Sequence, residues 1–434
     1  MWLRISLGRW KILSIVVALV LGYAINSYAY RIQVSEETWA DFAIRGQLFY
    51  FNWDKRGPDT DYRQNYFEMT EAEFYAKGQI NKFVQFFTQW ECYYKPYKLS
   101  GKKRDGKYPE ESTTAFMKET GVNLVFRPRP NEFKIRFGRQ RLPISRYHQR
   151  SDYKKLIPTD YYYRYDVHGL FKAKANEYLK TNRTSLRIRH PGVNAIGYLF
   201  DGMLECHVAL FNQPNNNPQS GLRNVGKEGQ GFKGVRPTVR LVFTPTWLGY
   251  KPEYSIKGTR GDSYLGKKDV CNIGVGYSRE EIWDGLDNEI FAIDGFWEKR
   301  LGSENRYVPM LQFGYMYSKE THYGLYGDEY GDNKEDSQYW WVAGQFLYNK
   351  FIAYGRPALA ARFEQMNADD AWNDKDFALN RVAVALNYFI KGYSAWMSLG
   401  VDHVWYTDGA EEYVLAKGKK RSMTDFNVHF EFLF

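Results

Sequence analysis

The chain has 434 residues, 44% hydrophobic and 18% aromatic, with a formal net charge of +10. Mean hydropathy is −0.58, and past the N-terminus no apolar run is long enough for a membrane helix, which argues against a helical membrane protein. Three cysteines with no Cys-x-x-Cys pair argue against a disulfide framework, a structural zinc site and an attached haem.

The N-terminus reads as a secretory signal. Arg4, Arg9 and Lys11 give a basic start, residues 12–25 are almost wholly apolar, and Ser27-Tyr28-Ala29 has the form of a cleavage site. A signal peptide is expected over 1–29, with the body of the protein over 30–434. Loss of the three basic residues would leave a charge of +7.

From there the chain is a series of alternating segments. Sixteen strands are predicted, at about 40–51, 66–79, 82–95, 117–127, 133–139, 193–200, 204–212, 236–244, 270–278, 287–299, 306–318, 337–348, 356–366, 377–390, 394–406 and 422–434. In each, successive side chains point to opposite faces. Phe133, Ile135 and Phe137 oppose Lys134 and Arg136. Val239, Leu241 and Phe243 oppose Thr238 and Arg240. Val382, Val384 and Leu386 oppose Arg381, Ala383 and Ala385. Bulky apolar residues keep one face, and small or charged residues keep the other. For a single strand a soluble β-sandwich would serve as well. The repetition favours a membrane barrel with lipid outside and a wet, charged lumen. Cys92, Cys206 and Cys271 fall on the apolar phase, as small hydrophobes.

Connection lengths alternate too. Short turns are predicted at 80–82, 128–132, 201–203 and 390–392, and long loops at 52–65, 96–116, 140–192, 213–235, 319–336 and 407–421. That is the short periplasmic turn and long outer loop of an outer-membrane barrel. Residues 245–269 are long where a short turn is due, so either a strand hides there or the periplasmic end carries an excursion. The last strand, TDFNVHFEFLF, places Phe426, Val428, Phe430, Phe432 and Phe434 on one face. Paired with the first strand it would close the barrel. Phe430, Phe432 and Phe434 are the expected assembly signal, read by the outer-membrane assembly machinery.

The third outer loop stands out in charge. Residues 141–189 contain seven Arg and five Lys against four acidic residues, a net of +8, with Tyr147, Tyr153 and Tyr161 to Tyr163 interleaved. Basic residues lining a constriction select anions, and Arg offers a planar fork for an oxyanion. The same charges could instead face lipopolysaccharide phosphates or a solvated surface. Wall charges by phase are balanced: Arg45, Lys77, Arg127, Lys134, Arg136, Arg240, Arg362 and Arg381 against Glu71, Glu73, Glu91, Asp294, Glu298, Glu364, Asp402 and Glu431. Selectivity is therefore expected from Lys134, Arg136, Arg139, Arg141, Arg146, Arg150 and Arg164. The acidic stretches near Asp328–Asp336 and Asp369–Asp376 read as solvated outer faces. His148, His168 and His190 lie in the basic loop without an evident Ser or Asp constellation, so no catalytic set, metal site or cofactor is expected.

Three blocks resemble the phosphate-selective porin O and P family. FKIRFGRQRLPISR (residues 133–146) is similar to its strand-and-Pro motif. HVALFNQPNNN (207–217) resembles its strand ending in Phe-Asn, although Gln213 stands where the family usually has Gly. RPTVRLVFTP (236–245) resembles its Arg-x-x-Phe-x-Pro strand. The blocks come in the family's order, and the likeness spans roughly residues 65–434. GRQRL (138–142) also resembles alginate-export barrels. The resemblance implies an all-β transmembrane antiparallel barrel of about 16 strands, an inward-folded third outer loop acting as a constriction, and a homotrimer. The expected function is passive, anion-preferring diffusion of small solutes such as phosphate, and the expected partners are small anions, outer-membrane lipid and lipopolysaccharide, with no nucleic acid. Alternatives are export of an anionic polysaccharide, a sheath around a periplasmic electron-transfer partner, or an outer-membrane hydrolase.

Overall fold

The computed structural model describes residues 30–54, 63–95, 112–151, 153–158, 189–212, 235–283, 286–322, 333–372, 375–409, 411–412 and 421–433. Among them, seventeen strands form one antiparallel sheet. They are β1 (Tyr30–Gln33), β2 (Trp39–Asp54), β3 (Arg63–Asn81), β4 (Val84–Lys95), β5 (Ser112–Arg127), β6 (Phe133–Arg141), β7 (Arg189–Leu199), β8 (Leu204–Asn212), β9 (Val235–Phe243), β10 (Val270–Trp283), β11 (Leu286–Glu298), β12 (Tyr307–His322), β13 (Asn333–Tyr348), β14 (Arg356–Trp372), β15 (Lys375–Phe389), β16 (Ala395–Asp408) and β17 (Ser422–Leu433).

Strands β2 to β17 close a sixteen-stranded barrel, each pairing with the next in sequence. β17 pairs with β2 from Phe426↔Asn52 to Leu433↔Arg45. The short β1 pairs only with the start of β2, from Tyr30↔Phe42 to Gln33↔Trp39, just beyond the end of β17. Closure satisfies the backbone groups that an open sheet edge would expose to lipid.

The predicted phases hold. Phe133 and Phe137, Val239 and Leu241, Val384 and Leu386, and Leu399 are exposed, and so is Phe346 at 52%. Their sequence neighbours Lys134, Arg136, Arg240, Ala383, Ala385, Ser398 and Gln345 are buried. Burying one large apolar side chain is worth about 1.5–3 kcal/mol. An outward belt of dozens of them is stable only in an apolar medium, so the wall spans a membrane. With its short turns, this is an outer-membrane barrel.

Several strands outrun their predicted ends on the long-loop side. β13 begins at Asn333, not 337, and β14 runs to Trp372, not 366. There the sequence turns polar on both phases and the hydropathy alternation vanishes. The ladder continues regardless, because backbone bonding does not need an apolar face; Lys319↔Asp336 and His322↔Asn333 are still paired.

The expected wet lumen is not what the described residues show. Arg45, Glu73, Arg362, Asp294 and Glu431 face inward yet are almost fully buried. They satisfy one another in place of water. Arg45 lies 2.7 Å from Glu73 and 3.3 Å from Glu431, Arg240 lies 2.8 Å from Asp294, and Arg381 lies 2.6 Å from Asp402. An unpaired charge at such a site would cost several kcal/mol of desolvation, about what a partner at this distance recovers. For these residues the balance of wall charges is local, pair by pair.

Candidate functional site in the barrel interior

Two chain segments fill part of the lumen. The first follows β6, over 142–151 and 153–158. Leu142, Ile144 and Tyr147 pack on a patch of inward-facing apolar residues: Phe211 of β8, Ile290 and Ala292 of β11, Met316 of β12, and Tyr339 and Trp341 of β13. Leu156 and Ile157 pack lower, against Val270, Phe296, Met310, Ala343 and Ala385. The approach is close. A Cβ on Gly276 of β10 would stand 2.0 Å from the Ile144 carbonyl oxygen. The wider third loop, which the sequence expected to fold inward, runs on through 159–188, outside the described residues.

The second segment is the connection 244–269, which settles the alternatives left open for it: it hides no strand and is an excursion at the short-turn end. It rises from β9 along the β4–β6 wall. Lys134 Nζ donates to the Ser255 carbonyl at 3.0 Å, Arg136 donates to the Ile256 carbonyl at 2.7 Å, and Lys257 Nζ lies 3.2 Å from Glu119. Gly258 has φ +79°, and a Cβ there would meet the Arg136 guanidinium at 2.1 Å, so this crossing needs glycine. The segment then crosses to the opposite wall. The Tyr264 and Gly266 N–H groups donate to Glu298 at 2.8 and 2.9 Å, and Gln345 donates to Ser263 Oγ at 3.2 Å.

The two segments bond to each other. Arg150 and Arg260 form a parallel bridge. Ser151 N–H donates to the Arg260 carbonyl at 2.6 Å and Arg260 N–H to the Gln149 carbonyl at 2.7 Å. Asp262 N–H donates to the Lys154 carbonyl at 2.8 Å, and the Asp262 carboxylate accepts from Leu156 N–H at 3.0 Å. At the centre, Glu253 accepts from Arg146 at 2.7 Å, Asn272 at 2.6 Å and the Tyr264 hydroxyl. Burial alone would raise the Glu253 carboxyl, but Arg146, Arg260 and Lys268 hold it well below the usual carboxylate range.

Six of the seven residues expected to govern selectivity lie among the described residues. Lys134 is buried beside Glu132 at 2.5 Å. Arg136 is buried against neutral acceptors, with Asn123 Oδ1 at 2.8 Å. Arg141 pairs with Glu119 at 2.8 Å, Arg146 with Glu253, and Arg150 approaches Asp262 at 3.8 Å. Arg139 lies exposed on the outward face of β6, away from these five. Arg164 falls outside the described residues, as do the signal peptide, Phe434, residues 328–332 of the first acidic stretch and 373–374 of the second. Of the assembly residues, Phe430 is buried, and the Phe432 ring covers Gly46 of β2, where a Cβ would meet it at 2.3 Å.

The sequence reading missed Arg236, Arg260, Glu119, Glu205 and Glu253. Arg260 pairs with Glu205, and Arg236 donates to Ser278 at 2.7 Å. The available signal was the inward phase of Arg236 and Glu205, and the length of 245–269. One pair looks chemical: Ser145 Oγ lies 2.8 Å from His148 Nδ1. Both side chains are fully buried, and the same hydroxyl accepts His148 N–H at 3.3 Å. Burial, then the charges of Arg236 and Arg240, lowers His148 to about 3, so its ring is neutral. The pair ties a turn together.

No known protein family and no curated protein matches the chain. Solved structures do. OmpF of Salmonella typhi, in a complex with daunomycin, is 12% identical, with a TM-score of 0.52 over 93% of this chain and 100% of that one. An anion-selective porin from Comamonas acidovorans is 9% identical, with a TM-score of 0.50 over 91% of this chain and 100% of that one. At these identities the likeness is one of fold.

Proposed function

We propose that the chain is an outer-membrane porin through which small solutes diffuse passively, with a preference for anions, phosphate and other oxyanions among them. One observation carries the reading. On the interior between β6 and β9, Lys134, Arg136, Arg141, Arg146, Arg150, Arg189, Arg236, Arg240, Lys257 and Arg260 converge. The carboxylates bonded to them among the described residues are fewer: Glu119, Glu132, Glu205, Glu253, Asp262 and Asp294. The surplus of positive charge sits in a low-dielectric wall, where salt screens it little. The resemblance of residues 133–146 and 207–245 to phosphate-selective porins supports the same solute class and a homotrimer.

The test is the reversal potential of the purified protein in a planar bilayer under a salt gradient. A potential of the sign for anion permeation is expected. A cation-selective value overturns the preference, and absence of any conductance overturns the channel.

A further inference from the structure

We propose that residues 244–269 are a strap entering from the short-turn end that positions the segment after β6 inside the lumen, and that the two together form a partition setting the width of the conducting path. The inference rests on the channel reading given above.

Three observations support it. The strap spans the lumen from wall to wall, anchored on Arg136 at one side and on Glu298 at the other. Its far end is built into the core: Leu265 is buried with Val308, Leu347, Phe389 and Trp396, and Tyr153 from the other segment packs on the same cluster. The contact between the segments runs along the chain from Arg146 to Leu156, so it is an extended interface. Most of it is backbone bonding, closed at one end by the buried Glu253–Arg146 pair and at the other by Asp262. Removing one partner of such a pair leaves a buried charge alone, which drives the segments apart.

The strap is not needed to join its strands. β9 and β10 are already neighbours, with Phe243 opposite Ile273, so a short turn can replace the strap without changing the barrel. Glu253 is then a positioning residue: it fixes Arg146 without itself having to touch a solute.

The experiment compares the full-length protein with a variant whose residues 248–267 are replaced by a short Gly-Ser turn, each also carrying Gln149→Cys. Heat-modifiable migration on gels checks that the barrel has formed. Gln149 is buried in the interface, so a water-soluble maleimide should leave the thiol introduced by Gln149→Cys untouched in the parent and label it fully in the shortened variant. Single-channel conductance should rise severalfold. Glu253→Gln together with Asp262→Asn should give an intermediate labelling rate and conductance, and Glu253→Asp should restore most of the protection. That pair carries the comparison if the shortened barrel does not assemble. An introduced thiol that stays silent in every variant, with unchanged conductance, overturns the strap. If no variant conducts, the porin reading fails instead, and the labelling still judges the strap by itself.

Discussion

At the scale of single residues, the interior is governed by paired charge. Glu253 shows how. Its folded value is depressed, so its contribution to stability is fully present above the ordinary carboxylate range and is lost as pH falls through the lower, folded value. The loss of unfolding midpoint in detergent on Glu253→Gln should therefore stay level from neutral pH to about pH 5, then shrink. A difference between the two proteins that already shrinks between about pH 7 and 5 would contradict this. Side-chain direction is equally testable. Phe346→Cys should react with a lipid-soluble reagent. Gln345→Cys faces inward but lies under Ser263, so a water-soluble reagent should miss it until the strap is removed. Rapid aqueous labelling of Gln345→Cys in the otherwise unaltered protein would mean that the strap does not cover this wall.

At the scale of elements, glycines mark where one piece of chain must approach another. Gly276 admits the Ile144 carbonyl, and that obstacle is backbone, which cannot rotate away as a side chain can. Gly276→Val should destabilise the barrel by about 1–3 kcal/mol, the usual range for overpacking, and should loosen the segment after β6 toward proteases. Urea unfolding measures the first effect, and limited proteolysis the second; full wild-type behaviour in both would refute the contact. The closing strand is a second case. Phe432 lies over Gly46 across the β17–β2 seam, so Phe432→Asp should leave unassembled chains that lack heat-modifiable migration. A normal barrel yield would remove Phe432 from the assembly signal.

At the scale of the whole molecule, most wall charges cancel in pairs, and the surplus is concentrated between β6 and β9. Replacing Arg136 by Gln removes a buried charge that donates to neutral groups, Asn123 and the Ile256 carbonyl. Anion preference should fall while conductance survives. Neutralising Asp328 to Asp336, which the sequence reads as a solvated outer face, should change it little, since solvated charges reach only about 8 Å at physiological salt. Reversal potentials compare the two variants, and a larger effect from the acidic stretch would move selectivity from the interior to the mouth.

The sequence by itself determined the barrel. A period of two repeated sixteen times, with Val384 and Leu386 on one phase and Arg381 and Ala385 on the other, dictates which face meets lipid, because a strand cannot turn one side chain without turning all. It also marked 245–269 as too long for a turn. What it could not give was the content of the lumen. Alternation says that Arg45, Arg136 or Asp294 points inward; it does not say whether water or protein meets it there. Phe211, Ile290, Tyr339 and Trp341 were apolar residues on the inward phase, a trace of the segments that cover them. Only the tertiary structure decided that Arg146 would meet Glu253, 107 residues away. Such a pair depends on where two excursions from opposite ends of the barrel come to rest, and that is set by packing across the lumen, which no local periodicity records.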